Sequence, residues 1–268
     1  MNFQDKVVMI TGSARGQGRV HAKKFAELGA KLILCDVCAD IDPVQYALGK
    51  SEELFQLHAE LQEQTHNQVI TACVDIRNVL GIQKLVNQGI DNFGRIDVLV
   101  NNAGVCSIKP AWKITPEDWD VMLGVNLTGT WNVCQAVMPF MMEQSYGRIV
   151  NISSIAGLKG IPNLVHYTAA KHGVVGLTKA LAIDLAPYSI TVNCVCPGSV
   201  DTELLVGLSP EIGLQADEAK QAFASKHLLP GLISPQDINE LVVWLASDAA
   251  RSVTGVAWNI DRGWLQHH

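Results

Sequence analysis

Short apolar runs alternate with longer segments of helical periodicity along the whole chain. Runs at 6–10, 31–36, 148–152, 191–195 and 256–260 have the length and apolar character of buried strands. Two helical segments begin at a cap residue followed by proline, at Thr115-Pro116 and Ser234-Pro235. The alternation demands right-handed crossovers. It predicts an α/β fold, a Rossmann-type doubly wound parallel sheet in a single domain spanning residues 1–268.

Composition and charge agree with one enclosed sheet and exclude several classes of protein. The chain is 48% hydrophobic and 17% charged, and a single core of this size buries about three quarters of the unfolded surface. A net charge of -6 without a basic tract argues against nucleic acid and anionic membranes. Neither a signal peptide nor an apolar run of ~18 residues is found, so we expect a cytoplasmic protein.

The seven cysteines predict neither disulfides nor a metal site. The Cys35-x-x-Cys38 pair has no second pair or histidines at ligand spacing, so no metal is expected. The histidines at 267–268 could be native or a tag remnant. Five cysteines lie in strand-like or helical runs and are expected to be buried small hydrophobes, namely Cys35, Cys73, Cys134, Cys194 and Cys196.

Tyr167 and Lys171 lie four residues apart in a helical stretch, so their side chains share one face. A phenol with a pKa of ~10 carries protons poorly near neutrality, and a neighbouring ammonium stabilises the phenolate and lowers that pKa. The spacing therefore predicts a tuned acid/base pair. The alternative is an ordinary solvated helical face.

A glycine-rich turn at 11–18 follows the first predicted strand and precedes a helix. Glycines allow close approach of the backbone to a diphosphate, and the helix N-terminus favours the anion. The spacing differs from the dinucleotide fingerprint because His21 stands where its last glycine would be, and the Lys-Ser/Thr of an ATP loop is missing. The turn predicts a nucleotide site, with a purely structural turn as the alternative.

The second predicted strand ends at Asp36, whose carboxylate can accept hydrogen bonds from adenosine ribose hydroxyls. The same carboxylate would repel a 2'-phosphate, so NAD is favoured over NADP. Arg15 could argue for a phosphate, but no basic residue follows Asp36 in 37–39.

Taken in order, the motifs resemble those of the short-chain dehydrogenase/reductase family almost from end to end. Besides the glycine turn and Tyr167-x-x-x-Lys171, the chain has Asp75, Asn101-Asn102-Ala103-Gly104, Asn126, Ser153-Ser154 and Pro197-Gly198 through Thr202. The resemblance implies that Ser154 is the catalytic serine and that Asn126 holds a water in a proton relay with Lys171. The cofactor-binding residues it implies are Gly12, Arg15, Gly16, Gln17, Gly18, Asp36, Asp75, Ile76, Asn102, Ala103, Gly104, Tyr167, Lys171, Pro197, Gly198, Val200 and Thr202.

Two irregular segments are expected to carry specificity. The 39–51 loop exceeds the usual ~2 to 6 residue connection, and it is either a surface loop or a flap over the adenosine half of the cofactor. The 203–229 segment could close over the substrate as a lid, or its apolar residues could simply pack. The predicted substrate wall is Ser154, Leu158, Ile161, Tyr167, Leu204, Leu205 and Val206.

Within the family, the chain looks like the carveol-dehydrogenase-type subgroup. The likeness lies in 12–19, in the extra loop leading to Tyr46, and in 157–167; Pro197-Gly198 departs from the more frequent Pro-Thr. The subgroup implies a redox carrier, the peptide mycofactocin, as partner. The family implies a homotetramer, and the helix from 167 to 186 is apolar on more than one side, as such burial requires.

These expectations combine in an NAD-dependent enzyme that interconverts a secondary alcohol and a ketone, with a compact apolar cyclic or terpenoid alcohol as substrate. Tyr167 removes the hydroxyl proton, Lys171 lowers the tyrosine pKa and binds the nicotinamide ribose, and Ser154 binds the substrate oxygen. One alternative is a 3-oxoacyl thioester reductase, which the apolar 203–229 segment disfavours. Another is a nonenzymatic NAD-binding regulator, for which loss of the catalytic residues would be expected.

Overall fold

Parallel strands form one sheet in the part of the chain that the computed structural model describes, residues 1–65 and 68–266. The histidines at 267–268 lie outside it. The seven strands are β1 (Val7–Thr11), β2 (Lys31–Asp36), β3 (Val69–Cys73), β4 (Val98–Asn101), β5 (Gly147–Ile152), β6 (Ile190–Pro197) and β7 (Ala257–Ile260). Their order across the sheet is β3-β2-β1-β4-β5-β6-β7, with every pair parallel. The predicted doubly wound sheet is confirmed.

Helices connect the strands. They are α1 (Gly16–Glu27), α2 (Ser51–Thr65), α3 (Val79–Phe93), α4 (Pro116–Leu123), α5 (Thr130–Gln144), α6 (Val165–Leu185), α7 (Glu203–Gly207), α8 (Ala216–Ala224) and α9 (Pro235–Ala246). Thr115 and Ser234 cap α4 and α9 with reciprocal capping boxes, which confirms both predicted helix starts. A π-helical segment, Gly124–Gly129, joins α4 to α5. Such segments often mark functional sites.

The core consists of two apolar layers, one on each face of the sheet. Val8 of β1 packs in one layer with Phe25 of α1 and Val242 of α9, while Met9 packs in the other with Val137 of α5. Successive strand side chains point to opposite faces, so burial on both faces explains the continuous apolar runs in the sequence. Helices therefore cover both faces of the sheet, and the loops lie at its carboxyl edge.

The cysteine prediction is right for four residues and wrong for one. Cys35, Cys134, Cys194 and Cys196 are buried, whereas Cys73 is exposed. The reason is that Cys73 ends β3, which lies at the edge of the sheet. Within the described ranges, no group of three His, Cys, Asp or Glu side chains could hold a metal ion, and no helix is long and apolar enough to cross a membrane.

Candidate active site

Two adjoining cavities lie at the carboxyl edge of the sheet, where parallel sheets bind ligands. The glycine-turn cavity contains these residues of the predicted site: Gly12, Arg15, Gly16, Gln17, Asp36, Asp75, Ile76, Asn102, Ala103, Gly104 and Thr202. The tyrosine cavity contains Gln17, Asn102, Gly104, Asn126, Ser154, Tyr167, Lys171, Pro197, Gly198, Val200 and Thr202. Because Gln17, Asn102, Gly104 and Thr202 line both, the two cavities form one cleft.

Four polar residues from three different elements meet in the tyrosine cavity. Tyr167 and Lys171 come from α6, Ser154 caps the turn after β5, and Asn126 comes from the π-helical segment. Lys171 Nζ donates to the carbonyl of Ile152 at 3.0 Å and lies 5.6 Å from the centroid of the Tyr167 ring. The structure thus brings together all four residues that the sequence assigned to catalysis.

Asn126 is held by its backbone neighbours. Its Nδ2 donates to the carbonyls of Val105 and Met122, both at 2.9 Å, and its Oδ1 accepts from the Val105 N–H at 3.3 Å. A Cβ at Gly104 would lie 2.8 Å from Asn126 Oδ1 and 3.4 Å from Lys171 Nζ. Glycine at 104 is therefore needed for the strand end to fit against these two side chains.

Burial moves the two α6 groups in opposite directions. It raises the pKa of Tyr167, although hydrogen bonding to the Ser154 side chain opposes the shift. It lowers the pKa of Lys171 to about 8. The sequence predicted a lowered tyrosine pKa, and that direction is wrong for the protein alone. Desolvation disfavours the phenolate, and at Tyr167, which is partly buried against the apolar core, it outweighs the Ser154 hydrogen bond that favours the phenolate.

The backbone of the glycine turn adopts a conformation that favours glycine, and it packs closely against Asn102. Gly12 and Gly16 have φ of +65° and +55°, a region that side chains disfavour. Asn102 fixes the turn, since its Nδ2 donates to the carbonyls of Thr11 at 3.0 Å and Gly12 at 2.9 Å. Gly18, predicted to bind cofactor, lines neither cavity. A Cβ there would lie 2.0 Å from the Gly12 carbonyl oxygen, so Gly18 allows α1 to pack under the turn.

His21, which replaces the last glycine of the fingerprint, points away from the cleft. It is fully buried, and its Nδ1 lies 2.8 Å from Oδ1 of Asn239 in α9. Burial lowers the pKa of His21 to about 4. The residue thus links α1 to α9, and Gly18 takes over the close helix packing that the fingerprint assigns to its last glycine.

Asp36 and Arg15 lie side by side but have different partners. Oδ2 of Asp36 accepts the Ala14 N–H at 2.9 Å, and burial raises the pKa of this carboxyl while the Ala14 bond opposes the shift. The Arg15 guanidinium donates to the Ala47 carbonyl of the 39–51 loop. Arg15 is therefore engaged by the chain itself, which weakens its case as a phosphate ligand.

The 39–51 loop forms one wall of the glycine-turn cavity through Ile41, Tyr46, Leu48 and Gly49. Asp40 sets its shape by accepting the Leu48 N–H at 2.8 Å and pairing with Lys50 at 2.7 Å. A Cβ at Gly49 would lie 2.9 Å from Asp36 Oδ1, so the loop closes directly onto that carboxylate.

The tyrosine cavity has a largely apolar wall. Ile161, Leu204 and Leu205 lie in it as predicted residues of the substrate wall. Phe223 and Trp264 are not among the residues predicted from the sequence. Phe223 lies in the 203–229 segment that was expected to reach the substrate, whereas Trp264 comes from a distant segment that no local motif marks. Further apolar residues of the wall, outside the predicted substrate-binding set, are Ile155, Leu164 and Leu208.

Two residues of the predicted substrate wall do not line this cavity. Leu158 packs instead against Val174 and Cys194. In α7 and its C-cap Leu208, residues 204, 205 and 208 share one side at about 100° per residue, which places Val206 on the opposite side. The sequence predicts one surface for residues 204–206, whereas in the helix Val206 faces away from Leu204 and Leu205.

The chain belongs to the short chain dehydrogenase family, whose model matches residues 6–212. An uncharacterized NAD-dependent oxidoreductase of Mycobacterium tuberculosis is 38% identical over 273 residues, covering 99% of this chain and 98% of that protein. The 3-oxoacyl-acyl-carrier-protein reductase FabG of Thermotoga maritima is 35% identical, covering 98% and 99%. Carveol dehydrogenase from Mycobacterium avium in complex with NAD has a TM-score of 0.92 and 36% identity, covering 98% of each chain. The predicted family resemblance is confirmed.

Proposed function

We propose that the protein is an NAD-dependent dehydrogenase that interconverts a secondary alcohol and a ketone. The observation that carries the proposal is the continuity of the two cavities. Asp36 lies at one end, Tyr167, Lys171 and Ser154 lie at the other, and Gln17 belongs to both. A dinucleotide spanning this cleft would place its nicotinamide beside Tyr167, the proton acceptor, and Ser154, the hydroxyl donor.

The residues of the glycine-turn cavity fit NAD. Two glycines at positive φ bring backbone close to a diphosphate at the start of α1. Asp36 offers Oδ1 to ribose hydroxyls, and a buried carboxylate disfavours a 2'-phosphate. Oε1 of Gln17 is buried without a partner among the described residues, where the cavities meet. NAD is also the nucleotide named for the mycobacterial relatives, and when bound it would accept or supply the hydride.

In the oxidation direction, Tyr167 accepts the proton of the substrate hydroxyl. Lys171 is fixed by the Ile152 carbonyl, and its remaining N–H groups are available to the nicotinamide ribose and to a relay through Asn126. Ser154 holds the substrate oxygen beside the tyrosine. In reduction, the same phenol returns its proton to the developing alkoxide.

The wall of the tyrosine cavity supports a compact apolar substrate. Leu204, Leu205, Phe223 and Trp264 contribute to it, and Lys171 is its charged member among the residues described. Lys159 and His166, either of which could have met an acidic group, lie outside it. His166 is fully buried, and its Nε2 lies 2.9 Å from Ser107 Oγ. A cyclic or terpenoid alcohol therefore fits better than a carboxylated one.

Reduction of 3-oxoacyl thioesters is the second candidate, and the likeness to a bacterial reductase of that name favours it. A phosphopantetheine chain would need a cluster of basic side chains near the cavity mouth, and among the described lining residues the only basic side chain is Lys171, which is buried beside Tyr167. A nonenzymatic regulator is disfavoured because the four catalytic-type residues are all present in one cavity. Cytoplasmic location, homotetramer and redox carrier remain predictions.

Initial rates with a panel of alcohols and thioesters test the proposal. The panel contains a cyclic secondary alcohol, its carboxylated analogue and a 3-oxoacyl thioester, each with NAD(H) and NADP(H). We expect the highest kcat/KM for the neutral cyclic alcohol with NAD. Faster turnover of the thioester would instead establish the second candidate.

A further inference from the structure

Tyr46, from the 39–51 loop, reaches across the cleft to the segment that follows β4. Its hydroxyl oxygen accepts the Cys106 N–H at 3.1 Å, sixty residues away in sequence. The side chain also lies close enough to Tyr167 to contribute to the raised pKa of that residue, although burial is the larger cause. Tyr46 therefore joins the glycine-turn cavity to the surroundings of the candidate catalytic groups.

The same side chain lies under the 203–229 segment. A Cβ at Gly207 would lie 2.6 Å from Cβ and 2.7 Å from Cγ of Tyr46. These are atoms near the Tyr46 backbone rather than a flexible tip, so only glycine permits the contact. Gly207 ends α7, whose Leu204 and Leu205 line the tyrosine cavity.

The 203–229 segment is attached to the same post-β4 residues. Glu211 accepts the Ile108 N–H with one carboxylate oxygen, two residues beyond the N–H that Tyr46 accepts. Three nearby backbone N–H groups in this segment each donate to a different part of the site. The Val105 N–H donates to Asn126, the Cys106 N–H to Tyr46 and the Ile108 N–H to Glu211. One short segment thus holds the loop, the 203–229 segment and a candidate catalytic residue.

We propose that Tyr46 is a positioning residue that holds the 39–51 loop against the 203–229 segment. The loop and the segment then move away from the cleft together, and the 203–229 segment thereby controls the rate of NAD release. The proposal rests on NAD binding as given above, and it assigns the pace of cofactor exchange partly to contacts of Gly207 and Glu211, which lie outside the nucleotide site. Neither Gly207 nor Glu211 lines either cavity. An effect of Gly207 on NAD release would therefore pass through its contact with Tyr46, and an effect of Glu211 through the 105–108 segment that Tyr46 also holds.

The test is the rate of NADH release from the purified protein, followed by its fluorescence after a chase with excess NAD and without any alcohol. Tyr46→Phe deletes the hydroxyl, and Glu211→Leu removes the acceptor for Ile108. Each should speed release roughly threefold to tenfold, the value of one hydrogen bond. The double variant should be no faster than the faster single variant, because both changes open the same unit.

Three further variants complete the test, one as a second perturbation and two as controls. Gly207→Ala leaves both hydrogen-bonding groups in the chain but displaces the Tyr46 side chain, and it should speed release as well. Glu211→Gln keeps an acceptor oxygen and should release NADH at the unmodified rate. Tyr188→Phe makes the same chemical change on a tyrosine that is 37% exposed, and it should have no effect.

Several results would overturn the proposal. They are unchanged release in Tyr46→Phe, unchanged release in both Glu211→Leu and Gly207→Ala, or effects of Tyr46→Phe and Glu211→Leu that multiply in the double variant. Thermal unfolding of each variant identifies loss of the fold. Since no alcohol is present, failure here leaves the proposed dehydrogenase activity, which is tested by turnover, unaffected.

Discussion

The Lys171 ammonium lies over the Tyr167 ring, 5.6 Å from its centroid, one helical turn away on the same face of α6. Burial shifts the pKa values of these two groups in opposite directions, in each case toward the neutral form. Burial raises the pKa of the phenol and lowers that of the ammonium to about 8. Forming the Tyr167 phenolate therefore costs desolvation free energy. Because the two groups are close, the protonation state of one affects the pKa of the other.

A pH dependence follows for the two directions of reaction. Oxidation needs the phenolate of Tyr167 as proton acceptor, and burial raises its pKa, so kcat/KM for alcohol oxidation should rise between about pH 6 and about pH 10. Reduction needs the phenol, which a raised pKa keeps protonated, so kcat/KM for ketone reduction should stay level over this interval and fall only at higher pH. Initial rates in both directions, with NAD affinity measured at each pH, check this. Oxidation that is faster at the acidic end would contradict the assignment of Tyr167.

Cofactor choice is expected to depend on Asp36. Asp36→Ala removes the desolvated carboxylate that a 2'-phosphate would meet, so the ratio of kcat/KM for NAD over NADP should fall by roughly tenfold, equivalent to ~1.4 kcal/mol. Asp91→Ala, the same change on an exposed residue of α3, is the control and should leave the ratio unchanged. An unmodified enzyme that prefers NADP would show that Arg15 outweighs Asp36.

His21 should make the fold sensitive to mild acid. Its pKa is about 4 in the folded protein, below the usual 6.5, so between these values the unfolded chain binds the extra proton. The contribution of neutral His21 to the free energy of unfolding is therefore fully present above about pH 6.5 and is lost as pH falls toward 4. The loss is on the order of 3 kcal/mol in total.

Urea unfolding across that pH range measures the loss. His21→Gln should be less stable at neutral pH but should lose less stability on acidification, because it has no ring to protonate. His172→Gln, on the exposed side of α6, should follow the unmodified protein. An equal acid dependence in His21→Gln and the unmodified protein would remove His21 as the cause.

Trp264 should set substrate preference. Trp264→Ala removes an aromatic wall of the tyrosine cavity, and loss of ~1 to 3 kcal/mol of apolar burial should raise KM for a cyclic alcohol roughly fivefold to 150-fold, with a smaller effect on kcat. Trp112→Ala is the control, since Trp112 is 85% exposed. Carboxylated alcohols that exceed their neutral analogues in kcat/KM would contradict the apolar cavity.

Much of the fold follows from local sequence signals. The apolar runs gave β2 at its observed limits, residues 31–36, and located β1, β5, β6 and β7 to within two residues. No run was assigned to β3 or β4. The prolines after Thr115 and Ser234 located two helix starts. These signals succeed because strand burial and helix capping depend on residues close together in the chain.

The remainder of the site depends on contacts between distant segments. Trp264 meets Tyr167 across a cavity with about a hundred residues between them in sequence, and Tyr46 meets Gly207 across more. No periodicity encodes such contacts. The direction of the Tyr167 pKa was also missed, because desolvation depends on the whole enclosure and not on the spacing of one pair.

The most direct test of the account is turnover by Tyr167→Phe, which deletes one hydroxyl and keeps the ring. NADH formation from a neutral cyclic secondary alcohol is measured beside NAD affinity, with Tyr188→Phe as the matched control. The account predicts that kcat falls on the order of a hundredfold to ten-thousandfold while NAD affinity stays within about threefold and the control is unchanged. Near-normal turnover by Tyr167→Phe with NAD bound would contradict the central claim.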